Sequence, residues 1–376
     1  MSSQSLMKDG LGEAAIDRIV SGLNAVLPDF DSRGFKRAAL DGLEALELKE
    51  RVRHLIEVMH GFLPPQFETA AEALCRLPEV WDHGDPDDPI RGFAIWPVTD
   101  YVAAYGLDHP DAAFAVMERL THLFSAEFAI RPFIKQHYAR TYRQLEAWCD
   151  HADEHVRRLV SEGTRPRLPW GMRLQDFIRD PEPTIPFLDR LRQDPSLYVR
   201  RSVANHVNDI SKDHPDRVVQ LCQDWLDQEQ GNPDHLQWIV KHATRTLVKM
   251  GHPGVFPLLG YDNDPHIAIR DLRLEPSEVA LGGEIAFQLV LDASKDHQKY
   301  VLDYAIHFVK KNGKRSEKVF KLKTGICHTG EPVLVSKRHS FKAITTRTYY
   351  PGEHLLAIHL NGREVARTAF DLVPRN

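Results

Sequence analysis

The hydrophobic pattern of this 376-residue chain changes its period once, near Ile269, and that change limits the folds open to it. Before this point apolar residues recur every three or four positions, and Pro and Gly separate the runs, which is typical of consecutive helices. After it, apolar and polar residues alternate, for instance over 285–291, as in a half-buried strand. The pattern predicts a multidomain chain, with an all-α domain over 1–267 and an all-β domain over 268–376.

The helical part carries a weak internal repeat. The sequence VRRLV at Val156–Val160 returns as VRRSV at Val199–Val203, 43 residues later, and a looser copy at Val240–Thr244 follows after another 41. This period is typical of HEAT-like helical hairpins, which stack because a single hairpin cannot bury its own apolar face. The first domain is therefore predicted to be a HEAT-like helical-repeat solenoid. Within it, apolar residues at helical spacing predict one helix over Asp111–Phe128, with Pro132 in the first turn of the next helix.

The second part is predicted to be an immunoglobulin-like β-sandwich. Asn312-Gly313 and Asn361-Gly362 each lie between two strand-like runs, which is a strong hairpin signal. Seven or so short strands over about a hundred residues are typical of such sandwiches. Because a Cys–Trp–Cys core is missing, fibronectin-like and other sandwiches fit the pattern equally well.

The net charge of −5 conceals an asymmetry between the two parts. From Ile269 onward there are 18 Lys and Arg against 12 Asp and Glu, a net of +6, which leaves −11 for the preceding part. Local patches, rather than totals, attract phosphates, so binding to nucleic acid remains open.

Several classes of protein are not indicated. No apolar run is long enough to span a bilayer, and the first residues lack the layout of a secretory signal, so we expect a cytoplasmic protein without a membrane partner. The four cysteines are scattered, and the 20 histidines form no HExxH or similarly spaced set. There is no phosphate-binding Gly-rich loop. We therefore expect no metal and no cofactor.

Four segments together indicate a function, because core packing alone does not account for their residues. They are FAIWPVTDYVAAYG (Phe93–Gly106), SAEFAIRPF (Ser125–Phe133), SEGTRPRLPWG (Ser161–Gly171) and RRSVANHVNDISKDHP (Arg200–Pro215). In this order they resemble the signature segments of AlkC, a branch of the AlkD-like alkylpurine DNA glycosylases. The resemblance runs over the helical part almost end to end and continues into the β part, which a subset of that family carries.

The resemblance implies a HEAT-like enzyme that hydrolyses the N-glycosidic bond of 3-methyladenine and of related cationic lesions such as 3-methylcytosine. It implies that the lesion is not swung into a deep pocket, unlike the usual base-flipping case. The family's catalytic carboxylates fall on Glu127 and Glu162, with Asp209 as a further acidic member, and its lesion-facing aromatic falls on Trp170. The implied partner is double-stranded DNA with alkylated bases, bound by a monomer.

The residues themselves leave both glutamates with a simpler alternative. Glu127 is expected at the edge of the apolar stripe, where an ion pair with Arg131 is the structural alternative. Glu162 is expected in the last turn of a helix, just before Gly163, where the helix dipole disfavours an anion by a few tenths of a kcal/mol. Its alternative is a solvated pair with Arg158.

Trp170 and Asp209 also have simpler alternatives. Trp170 follows a stiff basic connection, and its indole face would attract a cationic base by roughly 0.5–2 kcal/mol, whereas ordinary core packing is the alternative. Asp209 shares a polar helix stripe with Arg201, and capping of the turn before Lys212 is its alternative.

Carboxylates suit the implied reaction because a 3-methylated purine already carries a positive charge. It leaves as a neutral base, so no general acid is required. What needs stabilisation is the sugar as it becomes oxocarbenium-like, and nearby carboxylates provide the complementary charge. The same reasoning predicts selectivity for cationic lesions over neutral ones.

Basic residues are expected to hold the DNA through its phosphates. On the helical part these are Arg158, Arg165, Arg167, Arg201, Lys241 and Arg245. On the β part a loop with Lys337, Arg338 and Lys342 is expected to act as a clamp. Simple solvation is the alternative for each of them. At the level of the whole protein, the alternatives are a non-enzymatic HEAT adaptor that binds DNA or protein, and a DNA-structure binder that has lost catalysis.

Overall fold

The computed structural model describes residues 6–228, 231–344 and 347–374 and places helices first and strands after them. Within these ranges the α-helices, α1 to α16 in chain order, are Glu13–Val26, Ser32–Leu40, Leu48–Phe62, Phe67–Leu74, Trp96–Tyr105, Pro110–Leu120, Ile130–Gln136, Tyr138–Trp148, Glu154–Gly163, Gln175–Arg179, Ile185–Leu191, Leu197–Ile210, Pro215–Asp227, Pro233–Ala243, Arg245–Met250 and Val255–Leu258. Short 3₁₀ helices span Met7–Leu11, Leu43–Ala45, Leu77–Glu79, Arg91–Ile95 and Glu182–Thr184.

The strands, β1 to β8, follow without a helix between them. They are Ile267–Glu275, Glu278–Ala280, Glu284–Ala293, Gln298–Val309, Arg315–Cys327, Val333–Ser340, Gly352–Leu360 and Arg363–Val373. An all-α region followed by an all-β region is the predicted fold class, and it is confirmed.

Helices pack mainly on helices one or two places away in the chain, as a helical repeat requires. Examples are α3 with α5, α4 with α6, and α9 with α11. The three copies of the sequence repeat lie on α9, α12 and α14, with the last copy ending just beyond its helix, and their first residues, Val156, Val199 and Val240, are all buried. Each copy therefore turns the same position of its helix toward the core.

The predicted helix over Asp111–Phe128 is wrong in its second half. Helix α6 ends at Leu120, and the backbone N–H of Ala126 donates to the side-chain oxygen of Thr121 over 3.2 Å. A threonine hydroxyl that binds the backbone competes with helical hydrogen bonds, which fits the turns that follow. Pro132 is the third residue of α7, so its prediction in a first turn is confirmed.

The β part is a sandwich of two sheets. One sheet has the order β1-β3-β6 and the other has the order β2-β8-β7-β4-β5, with β2 parallel to β8 and the other pairs antiparallel. The predicted alternation on β3 is confirmed, because every second side chain enters a core shared with β4. Phe287 of β3 contacts Tyr304 of β4 with ring centroids 5.1 Å apart.

Both predicted hairpins are present. Asn361 and Gly362 have φ of 45° and 77° and form the two-residue connection between β7 and β8. Positive φ at both positions is what a type I′ turn requires, and Asn-Gly meets that requirement with little strain. Gly313, with φ of 74°, lies in the longer connection between β4 and β5.

The chain divides into two compact units, Met1–Asp209 and Ile210–Asn376. Helices α13 to α16 therefore belong with the strands. Within the second unit, the side-chain amide of Asn361 donates to the backbone oxygen of Asp262 over 2.6 Å. The boundary predicted between residues 267 and 268 coincides with the start of β1, but it falls inside this unit, and as a domain limit it stays a prediction. None of the helices in the described ranges has both the length and the apolar character that a membrane crossing requires.

Candidate active site

Glu127, Glu162 and Trp170 line one cleft in the first unit, with a volume of about 470 Å³. Its walls come from the 3₁₀ helix over Arg91–Ile95, the turns after α6, helix α9, the connection over 164–174 and the start of α12. Residues from five places in the sequence therefore meet at one surface. A shared cleft is the arrangement on which the predicted site depended.

Glu162 is a buried carboxylate with two hydrogen-bond donors and a further guanidinium group nearby. It is in the last turn of α9, as predicted, and its oxygens accept from Nη1 of Arg165 at 2.5 Å and from the hydroxyl of Ser202 at 2.6 Å. Arg158, one turn back, lies 3.6 Å from it. Burial opposes ionisation, but the two guanidinium groups outweigh it and hold the pKa of Glu162 below its usual range. The alternative pair with Arg158 exists, although it is buried and not solvated.

Glu127 lies in a turn, not on a helix stripe, and its carboxylate accepts from Nη1 of Arg158 at 3.1 Å. Burial raises the pKa of Glu127, and repulsion from the Glu162 carboxylate adds to the rise, while Arg158 opposes it. The alternative ion pair with Arg131 is wrong. Arg131 is fully buried and donates to the backbone oxygens of Met172 and Gly163, each over 2.7 Å.

The two glutamates are therefore held in different states. The lowered pKa keeps Glu162 ionised, whereas the raised pKa makes Glu127 the carboxyl that takes up a proton more readily. Two neighbouring carboxyls whose pKa values are moved in opposite directions provide an acid–base group and an electrostatic group in one place.

Asp209 lies on the buried side of the cleft and is 1% exposed. Its carboxylate accepts from Nε of Arg165 at 2.8 Å, so Arg165 bridges Asp209 and Glu162. Buried His206, one turn before Asp209, has Nδ1 2.9 Å from the backbone oxygen of Ser161. Because a carbonyl only accepts, Nδ1 carries the hydrogen, and burial lowers the pKa of His206 to about 4.

Trp170 is 49% exposed at the rim of the cleft, so the alternative of core packing is wrong. Its backbone has φ of 64°, which is strained for a non-glycine residue, and Nζ of Lys49 donates to its carbonyl oxygen over 2.5 Å. Strain of this kind is typical of functional positions. One side of the indole lies parallel to Trp96, with centroids 6.3 Å apart and planes 9° apart.

Several of these contacts join residues about one repeat apart in the sequence. Arg165 and Asp209 are 44 residues apart, Glu162 and Ser202 are 40 apart, and Ser161 and His206 are 45 apart. The weak repeat of 43 residues thus contained a signal that the end of α9 faces α12. Sequence reasoning used the repeat for the fold and did not apply it to the site.

The structure places the predicted phosphate-binding arginines differently from one another. Arg158 and Arg165 have side chains only 17% and 9% exposed and are held by carboxylates, so their prediction as phosphate contacts is not supported. Arg158 also lies over the ring of Tyr198 at 4.5 Å. Arg201 and Lys241 are exposed, and Arg167 and Arg245 are half-buried.

The predicted clamp on the β part is a strand for most of its length. Lys337 and Arg338 lie on β6, an edge strand, and Lys342 follows it. All three are exposed, while Phe341, between Arg338 and Lys342, is fully buried. Nη1 of Arg338 donates to Glu284 on the neighbouring strand over 2.9 Å.

Sequence reasoning did not single out Trp96, Ser202 and His206, although each lies inside one of the four quoted segments. It also missed Tyr198, which lines the cleft against Arg158 and lies outside those segments. Across the described ranges, no three His, Cys, Asp or Glu residues cluster as they would around a metal ion.

Comparisons with known proteins agree over nearly the whole chain. A family model described as "Uncharacterised protein YhaZ, C-terminal Ig-like domain" matches residues 268–374. The uncharacterised protein YhaZ of Bacillus subtilis (strain 168) is 38% identical over 357 residues, which cover 95% of this chain and 96% of that protein. The solved structure of the Pseudomonas fluorescens alkylpurine DNA glycosylase AlkC, bound to DNA containing an abasic site analog, matches with a TM-score of 0.88 and 36% identity. The match covers 98% of this chain and all of that one.

Proposed function

The chain belongs to the family of the alkylpurine DNA glycosylase AlkC, and from that premise we propose that it excises cationic N3-methylated bases, such as 3-methyladenine and 3-methylcytosine, from double-stranded DNA. As a member of that family it is a DNA repair glycosylase, a hydrolase of the N-glycosidic bond. The substrates, the monofunctional reaction and the roles of individual residues are the proposed part, as is its action as a monomer in the cytoplasm.

One observation carries the proposal: two carboxyls with oppositely moved pKa values share an open cleft with a half-exposed tryptophan. A site for hydrolysis of a cationic nucleoside needs negative charge beside the sugar, a base for the water and a surface that prefers a charged leaving group. Glu162, Glu127 and Trp170 supply these three features in that order.

Glu162 stabilises the sugar as it becomes oxocarbenium-like. Its negative charge persists because Arg158 and Arg165 favour the ionised form. A charge contact at about 4 Å with an effective dielectric near 20 amounts to roughly 4 kcal/mol before desolvation, or about three orders of magnitude in rate. The two arginines reduce this gain, since they offset part of the negative charge.

Glu127 accepts the proton of the attacking water. Burial and the nearby Glu162 raise the pKa of Glu127, which makes it the more basic of the two carboxyls and suits a general base. Arg158 holds its position from the side of α9. The methylated base leaves as a neutral molecule, so the mechanism assigns no general acid to the leaving group.

Trp170 selects the lesion by its charge. A cationic base over the exposed indole face gains roughly 0.5–2 kcal/mol that a neutral base does not gain. The indole stands at the rim of the cleft instead of at the bottom of a pocket. This placement supports recognition of the lesion without a deep, base-flipping pocket.

DNA is held by other basic side chains. Arg201, Lys241, Lys337, Arg338 and Lys342 are exposed and able to reach phosphates, and Arg167 and Arg245 are half-buried candidates. Arg158 and Arg165 act instead as counter-ions that hold the carboxylates. The basic strand β6 thus takes the place of the predicted loop as the clamp.

The test is excision from methylated duplex DNA by the purified full-length chain, scored as alkali-labile abasic sites. We expect Glu162→Gln to lower the single-turnover rate by roughly two to three orders of magnitude, and Glu127→Gln by roughly two, with binding of intact DNA retained. Glu146→Gln is the matched control, because Glu146 is exposed on α8, outside the cleft.

Absence of excision by the wild-type protein, with duplex binding intact, would support the alternative of a non-catalytic DNA binder. Equal excision of neutral and cationic bases would contradict the proposed selectivity. Glutamine variants that retain full activity would remove both carboxyls from the mechanism.

A further inference from the structure

Asp100 is a buried carboxyl for which the mechanism above has no use. It lies on α5, inside the segment Phe93–Gly106. One of its oxygens accepts from the indole N–H of Trp96 over 2.7 Å. Its other oxygen is buried and accepts no hydrogen bond from any residue that the structure describes. A buried carboxyl with half of its capacity unused costs stability, so its presence needs a reason.

Trp96 connects Asp100 to the cleft. It is 3% exposed and does not line the cleft itself, but four aromatic rings of the cleft wall lie against it, those of Phe93, Phe124, Phe128 and Trp170. The ring centroids of Phe124 and Phe128 are 5.3 and 5.2 Å from that of Trp96, and Trp170 lies parallel to it. These distances are within the range in which aromatic pairs stabilise one another.

We propose that Asp100 is a positioning residue for the lesion-binding face: by holding the indole N–H of Trp96 it sets the plane on which Trp170 rests. The inference rests on the proposed function of Trp170 and deepens it. Without the hydrogen bond, a buried indole keeps its apolar contacts but loses the one directional contact that fixes its rotation in the ring plane.

The position is costly, which supports a role in the site. Burial raises the pKa of Asp100 to about 7, the hydrogen bond from Trp96 opposes the rise, and repulsion by the Glu127 carboxylate adds to it. An apolar side chain of similar size would avoid this cost in the fold. It would also leave the N–H of Trp96 without an acceptor, and the backing of Trp170 would then be set by packing alone.

The experiment is a double-mutant cycle between Asp100 and Trp170 in the full-length chain, with single-turnover excision of 3-methyladenine as the measurement. We expect Asp100→Leu to lower the rate roughly tenfold, and Asp100→Asn, which keeps an acceptor for the indole N–H, to stay within about threefold. In the Trp170→Ala background, Asp100→Leu should change the rate by less than about twofold, because the residue through which it acts is gone.

Tyr101→Leu is the matched control for damage to the core. Tyr101 is buried beside Asp100 on the same helix. Its ring contacts those of His60, Phe67 and Tyr105, none of which lines the cleft. Its effect on the rate should be the same with and without Trp170. If Asp100→Leu also has the same effect in both backgrounds, Asp100 merely supports the fold and the inference is overturned.

A spectroscopic measurement tests the inference without catalysis. Two stacked indoles whose transition dipoles are rotated relative to one another give an exciton signal in circular dichroism, and the difference between wild type and Trp170→Phe isolates the part due to Trp170. This difference should persist in Asp100→Asn and disappear in both Asp100→Leu and Trp96→Phe. A wild-type protein that shows the signal but excises nothing would count against the proposed function alone, while a signal that survives Asp100→Leu would overturn the inference whatever the activity.

Discussion

The cleft of the first unit and the basic strand of the second unit carry positive charge in opposite ways. In the cleft, Arg158 and Arg165 are mostly buried and paired with carboxylates. On β6, Arg338 is 76% exposed and its pair with Glu284 lies in solvent. The same residue type thus serves as an internal counter-ion in one place and is available to an external polyanion in the other.

The difference teaches that a list of basic residues predicts DNA contacts poorly. A guanidinium that neutralises a buried carboxylate is worth several kcal/mol to the fold, because its loss leaves a charge without a partner in a medium of low dielectric. An exposed guanidinium is worth little to the fold and stays available to phosphates. The predictions that follow test each side of this contrast, from the largest expected effect to the smallest.

The largest effect should come from Arg165→Leu. This change removes the guanidinium that bridges buried Glu162 and Asp209, so we expect a loss of about 3–5 kcal/mol in the free energy of unfolding, measured with denaturant, together with loss of excision. Arg165→Lys should recover only part of the stability, because an ammonium group cannot reproduce the two-sided contact. Arg338→Leu, the control on β6, should cost less than about 1 kcal/mol. Similar losses for the two leucine variants would erase the contrast.

The next effect concerns the dependence of stability on pH. Because the pKa of Asp100 is raised to about 7 in the folded protein, the folded chain keeps a proton that the unfolded chain releases above about pH 4. This group therefore makes the wild type less stable as the pH rises from about 4 to 7. Relative to the wild type, Asp100→Asn should gain on the order of 4 kcal/mol across this interval. A difference that stays constant with pH would show that Asp100 titrates normally.

A smaller effect is expected for the open face of the cleft. Trp170→Ala should lower excision of 3-methyladenine roughly 3- to 30-fold, the equivalent of the cation–π gain, and leave the slow excision of a neutral base unchanged. The free energy of unfolding should change by less than about 1 kcal/mol, since the indole is half-exposed. Trp238→Ala, at a tryptophan outside the cleft that stacks on His242, is the control. Equal loss for both kinds of base would remove charge selection from Trp170.

The smallest effect per residue is expected on the exposed side of the contrast. Lys337→Ala and Lys342→Ala should each weaken DNA binding a few-fold and reduce the slope of log K against log salt by about 1, with the rate at saturating DNA unchanged. Lys36→Ala is the control, because Lys36 is paired with Glu13 and Asp17. A salt slope that stays the same would leave β6 outside the DNA interface.

Point substitutions test this interface more specifically than a truncation that removes all residues from Ile269 onward. Such a truncation would cut inside the second compact unit and could disturb its fold.

Local features of the fold were readable from the sequence because they depend on neighbours in the chain. The alternation on β3, the Asn-Gly turn at Asn361 and the end of α9 just after Glu162 all follow from the preferences of a few consecutive residues. The exception is the helix predicted to continue through Thr121. The apolar periodicity continues there, but the helical backbone ends at Leu120. Apolar spacing alone does not register a side chain that takes over a backbone hydrogen bond.

The sequence by itself therefore determined the kinds of element, their order and the segments from which the site is built. Only the tertiary structure decided which arginine pairs with which carboxylate. It paired Arg158 with Glu127 across 31 residues and Arg165 with Asp209 across 44, and it turned Arg131 from a carboxylate toward two backbone oxygens. The reason is that electrostatic energy depends on distance and burial in space, and neither is set by separation along the chain.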